Sequence, residues 1–156
     1  MLSEIERVWL ACAIDCDGHV GMKLQRQVQK GKEYEYVIPQ LGFSNTSRPL
    51  AERFGELIKY KVSIVKEGNP YDHKRTNKCT THNTQKIHDI LEQIIPHIIA
   101  KRKRAEYVLL FCKHKLKTPG NHGPGRSERL VEDLKWLVQY QELYPRHRRN
   151  RKENPP

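Results

Sequence analysis

Cysteine is sparse in this chain: four in 156 residues, with no C-x-x-C pair. The spacings of zinc ribbons and zinc fingers are therefore absent. Cys112 and His114 with His122 nearby make a poor ligand set, and all four thiols are expected free, as in a reducing compartment. Long apolar runs are missing too. The longest, Val8 to Ile14, falls far short of the ~18 residues a spanning helix needs, so no membrane span is expected. The start, MLSEIERV, has acids where a secretory signal has basic residues. That points to an intracellular protein, in the cytoplasm or an organelle. No Walker A loop is present, which leaves nucleotide hydrolysis unsupported. His82-Asn83 and the scattered histidines form no ββα-metal nuclease motif. Aromatic residues are 8% and offer no paired set for stacking bases, which argues against a generic RNA-binding domain.

Basic residues are what the chain has in excess. Lys and Arg number 29 against 18 Asp and Glu, a net charge of +11, and such an excess favours a polyanionic partner. The length suits one domain, large enough to bury a core without a disulfide or metal staple. Residues 1–145 read as that domain. The remainder, 146–156, is basic, then proline-ended, and reads as a loose tail.

Periodicity gives the order of elements. Ser3 with Glu6 is a capping-box pattern opening a first helix. Ile5, Val8, Trp9 and Cys12 share one face, while Leu10, Ala11, Ala13 and Ile14 cover the other. A helix apolar all round wants burial on all sides, so one face suits another subunit, with Ala11, Cys12 and Ala13 small enough for close approach. Gly18 is the stop. Val20, Met22, Leu24 and Val28 then alternate with polar residues in a strand, broken by Arg26. After a turn at Lys30-Gly31-Lys32 a second strand runs from Tyr34 to Ser44, and Pro39 predicts an edge or bulge there. Ser47 is an N-cap for a second helix with Leu50, Phe54, Leu57 and Ile58 inward. Val62 to Lys66 and Lys74 to His82 read as strands around a turn at Gly68-Asn69-Pro70. Asn83 or Thr84 caps a third helix that Pro96 ends. A fourth starts near Lys101, with Ala105, Val108, Leu109, Cys112 and Leu116 inward. A loop spans Thr118 to Gly125, and Ser127 caps the last helix. The class is α+β, with a four-stranded antiparallel sheet backed by helices.

Two features carry chemistry. Asp15 and Asp17 end the first helix, where the dipole disfavours carboxylates. A cation explains such a placement better than local stability does; the plain alternative is that both merely terminate the helix. Asp17 suits Mg²⁺, a hard ion that takes carboxylate and water. The outward face of the first strand holds Lys23, Gln25 and Gln27 and no acid. Gln40 and Ser44 join it from the second strand, and Lys66, Lys78 and Thr80 from the second pair. A major groove admits a two-stranded ribbon, where Gln reads adenine and Lys reads guanine. The alternative is a merely solvated sheet face.

Leu10 to Gly18, LACAIDCDG, resembles the signature of the LAGLIDADG homing endonucleases. Leu10, Ala11, Ile14, Asp15, Asp17 and Gly18 match it, while Cys12, Ala13 and Cys16 depart from it. The order of elements is similar to the family's αββαββα core, here with extra C-terminal helices. Phe43 to Ser47 and Pro96 to Ala105 also look like the family, so the resemblance spans about Leu2 to Leu116. It implies a homodimeric, intron-encoded endonuclease that cuts both strands of a long, near-palindromic DNA duplex with Mg²⁺, or Mn²⁺ or Ca²⁺ in its place. It assigns Asp17 as metal ligand with the Cys16 carbonyl as helper, and Lys101 as the basic group facing the scissile phosphate, with Lys103 a weaker candidate. Ser47 falls where the family orders water near the metal, and Asp15 falls at a structural position. The close helix contact across the dimer falls to Leu10, Ala11, Cys12 and Ile14. His19 lies near enough to the phosphate to assist, or is simply packed. The rival reading is a non-cleaving binder of the same fold, an intron splicing maturase or a DNA-binding regulator.

Overall fold

The computed structural model describes residues 1–29, 31–65, 76–117 and 126–145. Lys30, Lys66, the turn at Gly68-Asn69-Pro70, the loop of Thr118 to Gly125 and the tail 146–156 lie outside the described residues. In chain order the elements are α1 (Glu4–Cys16), β1 (Gly18–Gln29), β2 (Lys32–Asn45), α2 (Arg48–Leu57), β3 (Ser63–Val65), β4 (Thr76–Thr81), α3 (Thr84–Ile94), α4 (Arg102–Lys117) and α5 (Arg126–Leu143). From α1 to α3 this is the αββαββα order, and α4 and α5 are additional. The strands form one antiparallel sheet in the order β1-β2-β4-β3. Three strands build most of it, because β3 is a three-residue edge.

Local chemistry explains the boundaries. The Ser3 hydroxyl accepts from the Glu6 amide while the Glu6 carboxylate accepts from the Ser3 amide, so α1 opens on a complete capping box. Asn83 caps α3 through its side-chain oxygen, 2.9 Å from the Lys86 amide. Pro96 falls in a short 3-10 turn, Ile95–His97, that closes α3. Gly31 takes a φ of 73° in the β1–β2 turn, a left-handed conformation that glycine enters without a Cβ clash. The start of α5 differs from expectation: Ser127 lies inside the helix, not ahead of it.

The alternation in β1 and β2 sorts the sheet into two faces. Val20, Met22, Val37, Leu41 and Phe43 are buried, and α1, α2 and α3 cover them. The Phe43 ring stacks on Phe54 of α2 with centroids 5.1 Å apart. Ile87, Ile90, Leu91 and Ile94 fill the space beneath from α3. Each such side chain contributes roughly 1.5–3 kcal/mol on burial. Pro39 lies in a central strand, yet β2 pairs with β4 only from Leu41 to Asn45. At Pro39 its single partner is β1, so the missing N–H falls where no ladder needs it. Arg26, which breaks the apolar alternation, is exposed and pairs with Glu35 across the hairpin at 2.6 Å.

The first helix corrects one expectation. Leu10, Ala11 and Ile14 are fully buried in this chain's own core, so they are not available to a second copy. The outward stripe of α1 is instead Ile5, 82% exposed, Val8, 48% exposed, and Cys12. Two apolar faces compete for one core: Leu10, Ala11 and Ile14 are buried in it, and of the other face only Trp9 packs partly against it. Leu50 and Leu116 also point outward, contrary to their assignment as inward residues.

Candidate metal and DNA-binding site

The end of α1 is built by contacts from distant parts of the chain. A Cβ on Gly18 would lie 2.5 Å from the Ile14 Cα, so only glycine allows β1 to leave the helix this tightly. The Asp15 carboxylate turns back to the segment before α4. It accepts from the Ile99 amide at 2.6 Å, the Ala100 amide at 3.2 Å and the Lys101 amide at 2.9 Å. Burial raises its pKa, but these donors and the nearby Lys101 charge outweigh burial and hold it below the usual range. Asp15 is thus structural. Lys101 returns the contact: its Nζ donates to the carbonyls of Ile14 at 2.6 Å and Gly18 at 2.8 Å. A cation there satisfies carbonyls that a helix end leaves orphaned and opposes its negative dipole. Burial lowers the pKa of Lys101, with Asp15 opposing the shift. An ammonium carries three N–H donors, so one remains beyond the two carbonyls.

Asp17 caps α1 and is exposed. Its Oδ2 accepts from Asn45 Nδ2 at 2.8 Å. Asn45 also accepts the Ser47 amide on Oδ1 at 2.7 Å. Buried Asn77, opposite Asn45 in the β2–β4 register, donates to the Asn45 and Thr46 carbonyls at 3.2 and 3.1 Å. Ser47 occupies the N-cap position of α2, but its hydroxyl makes no capping hydrogen bond, which corrects that expectation. Sequence reading missed the role of Asn45 as the partner of Asp17. Asn two residues before Ser47 is a local turn signal, but nothing local points it toward Asp17, 28 residues away.

The face of the sheet turned away from α1 to α3 carries the expected DNA-binding set. His19, Lys23, Gln25 and Gln27 of β1 pair with Gly42, Ile38, Tyr36 and Tyr34 of β2, and Gly21 pairs with Gln40. Gly42 and Ser44 pair in turn with Thr80 and Lys78. The structure therefore brings Lys23, Gln25, Gln27, Gln40, Ser44, Lys78 and Thr80 onto one surface. Tyr34, Tyr36 and Ile38 join it, and the Tyr36 hydroxyl donates to Gln27. Thr80 is the exception in reach: its hydroxyl is buried without a partner. A Cβ on Gly42 would lie 2.4 Å from the His19 ring and 2.5 Å from the Thr80 hydroxyl, so His19 packs over the missing side chain. Burial, then Lys78, His82, Lys101 and Lys23, push the His19 pKa down to about 4. Burial and Lys23 lower that of His82 as well. The positive charges that bear on His19, two residues after Asp17, are those of Lys78, Lys101 and Lys23.

Cys12 and Cys16 are exposed on α1, one turn apart. The neighbouring Cys12 thiol, then burial and the charges of Asp17 and Asp15, raise the pKa of Cys16. Cys79 and Cys112 are buried, with pKa values raised by burial to about 11 and about 12, which makes them inert packing residues. Among the described residues no group of three or more His, Cys, Asp or Glu side chains converges as a metal-binding cluster. No helix among them is long and apolar enough to cross a membrane.

No protein-family model and no curated protein matches this sequence. Solved structures do match in fold. The homing endonuclease I-CvuI, crystallised on a DNA target in the presence of Mg, superposes with a TM-score of 0.66 at 17% identity, over 94% of this chain and 86% of that one. The archaeal intron-encoded homing endonuclease I-Vdi141I, in complex with DNA, gives 0.61 at 16% identity, over 88% and 84%. The LAGLIDADG homing endonuclease I-GzeII, on its DNA target, gives 0.60 at 13% identity, over 90% of this chain and 49% of that one. The fold of this chain is that of the LAGLIDADG homing endonucleases.

Proposed function

We propose that this protein is an intracellular, intron-encoded, homodimeric endonuclease that cuts both strands of a long, near-palindromic DNA duplex using a divalent metal. One observation carries the reading. The exposed Asp17 carboxylate stands where the cationic sheet face meets the end of α1, so a duplex lying on that face brings phosphate to it.

The donors at this end fit a hard cation. Asp17 offers carboxylate oxygen and Cys16 a main-chain carbonyl, the oxygen ligands Mg²⁺ prefers, with waters and substrate phosphate completing its shell. When bound, Mg²⁺ supplies charge stabilisation at the phosphate and acidifies water. The chain does the rest. Lys101, anchored by two carbonyls, directs its third N–H toward the scissile phosphate and favours the charge that develops there. Ser47 contributes a hydroxyl near Asp17 to order water. Lys23, Gln25, Gln27, Gln40 and Ser44 read bases through the groove, and Lys78 extends that surface. The seam between copies is the outward stripe of α1, where Cys12 is joined by Ile5 and Val8 in place of Leu10, Ala11 and Ile14. Two such helices side by side bring two Asp17 carboxylates to the two strands. Residues 1–145 form the endonuclease unit and the basic tail adds phosphate contacts.

The non-cleaving alternative has the double anchoring of Lys101 in its favour, since that lysine has a complete structural reason to be present. Cleavage of a duplex selected from a random pool by binding, with Mg²⁺ and with EDTA, separates the two. Asp17→Asn is expected to lose cleavage while binding the selected duplex within about tenfold, or ~1.4 kcal/mol. Cleavage at the normal rate by Asp17→Asn removes the assigned role.

A further inference from the structure

Asp17 is not a lone carboxylate at a helix end. Its Oδ2 is held by Asn45 at 2.8 Å, and Asn45 is itself fixed by two further contacts. The Ser47 amide can only donate, so the 2.7 Å contact to it forces the Asn45 oxygen that way and the amide nitrogen toward Asp17. Buried Asn77 grips the Asn45 main-chain carbonyl and its neighbour. The donor to Asp17 is thus set by a rigid corner between β2 and α2, one residue along from Ser44 and Lys78 on the opposite face of the sheet.

We propose that Asn45 is a positioning residue for Asp17: it occupies Oδ2, fixes the carboxylate's orientation and leaves Oδ1 directed to the cation. This rests on the metal-dependent reading above. The amide suits the task because it is a neutral donor. It orients the carboxylate without the charge by which a lysine would compete with the cation, and without the repulsion a second carboxylate would bring. Hydrogen-bonding partners that orient a metal ligand typically govern affinity by about 10–100-fold.

The test is Asn45→Ser. A serine hydroxyl still accepts from the Ser47 amide as an ST-turn, so the corner is kept, but it does not reach Asp17. Ca²⁺, taken by the same oxygen ligands, is titrated by calorimetry into the complex with the selected duplex, which needs no turnover. Asn45→Ser is expected to bind Ca²⁺ about tenfold more weakly, with unchanged duplex affinity and unchanged melting of the metal-free protein. Asn45→Thr, better suited to a strand end, gives the same result if the serine variant does not fold. Wild-type Ca²⁺ affinity in a folded variant, alongside loss of Ca²⁺ in Asp17→Asn, overturns the positioning role alone. Wild-type Ca²⁺ affinity in Asp17→Asn overturns the metal reading, and the role of Asn45 with it.

Discussion

At the scale of single residues, two carboxylates two positions apart have opposite employment because of what faces them. Asp15 meets three backbone N–H groups and so works as a staple. Asp17 meets one amide and solvent. Asp15→Asn keeps one acceptor oxygen and loses the charge, so urea unfolding is expected to show a loss of about 1.5 kcal/mol, the scale of a hydrogen bond to a charged group. Acid gives a second readout. The native pKa of His19 is about 4 against an ordinary 6.5, so the folded chain refuses a proton that the unfolded chain accepts. Stability from this source is full above pH 6.5 and declines as pH falls toward 4. The Asp15 contribution is lost at still lower pH, below its ordinary 3.8, as its lowered native pKa is crossed. Melting of metal-free protein across this range is expected to fall, and His19→Gln to flatten the upper part of the fall. Bound duplex should flatten it too, because phosphates offset the lysines that disfavour the imidazolium.

At the scale of elements, α1 carries the proposed contact between two copies. Its outward stripe of Ile5, Val8 and Cys12 has no cover within the described residues. Val8→Asp places a charge in the middle of that stripe, where a helix–helix seam would bury it unpaired. Sedimentation is expected to show a folded monomer that binds half-sites and makes no double-strand cut; a stable dimer of this variant excludes the seam. The same helix shows where sequence reading reached its limit. In α3 the apolar residues fall on one stripe, and Ile87, Ile90, Leu91 and Ile94 are buried as their spacing requires. In α1 apolar residues surround the axis, so periodicity carried no direction, and only the competition for the sheet chose Leu10, Ala11 and Ile14. The two faces of β1 and β2 were legible because a strand has only two sides. The Asp17–Asn45 contact was not, since it depends on where β2 ends, 28 residues further along the chain.

At the scale of the whole molecule, the net charge of +11 divides into a structured share on the sheet and a share in the tail, where Arg146, Arg148, Arg149, Arg151 and Lys152 cluster. The two shares should behave differently in one salt titration. Truncation after Tyr144 is expected to weaken binding to every sequence alike and to flatten the salt dependence, by a slope of ~0.9 for each phosphate no longer neutralised. Gln25→Ala is expected to cost about 1–3 kcal/mol on the selected duplex and little on random DNA. Equal weakening on both probes by Gln25→Ala makes the ribbon a phosphate-holding surface and removes it from base reading. The clasp between Asp15 and Lys101 also sets an order of events during synthesis. The helix that leads to Asp17 leaves the ribosome before Ile99, Ala100 and Lys101, and its end closes only when they follow. A nascent chain stalled before Ile99 therefore holds Asp17 on an unfinished corner, and any chemistry at that carboxylate arrives late in translation.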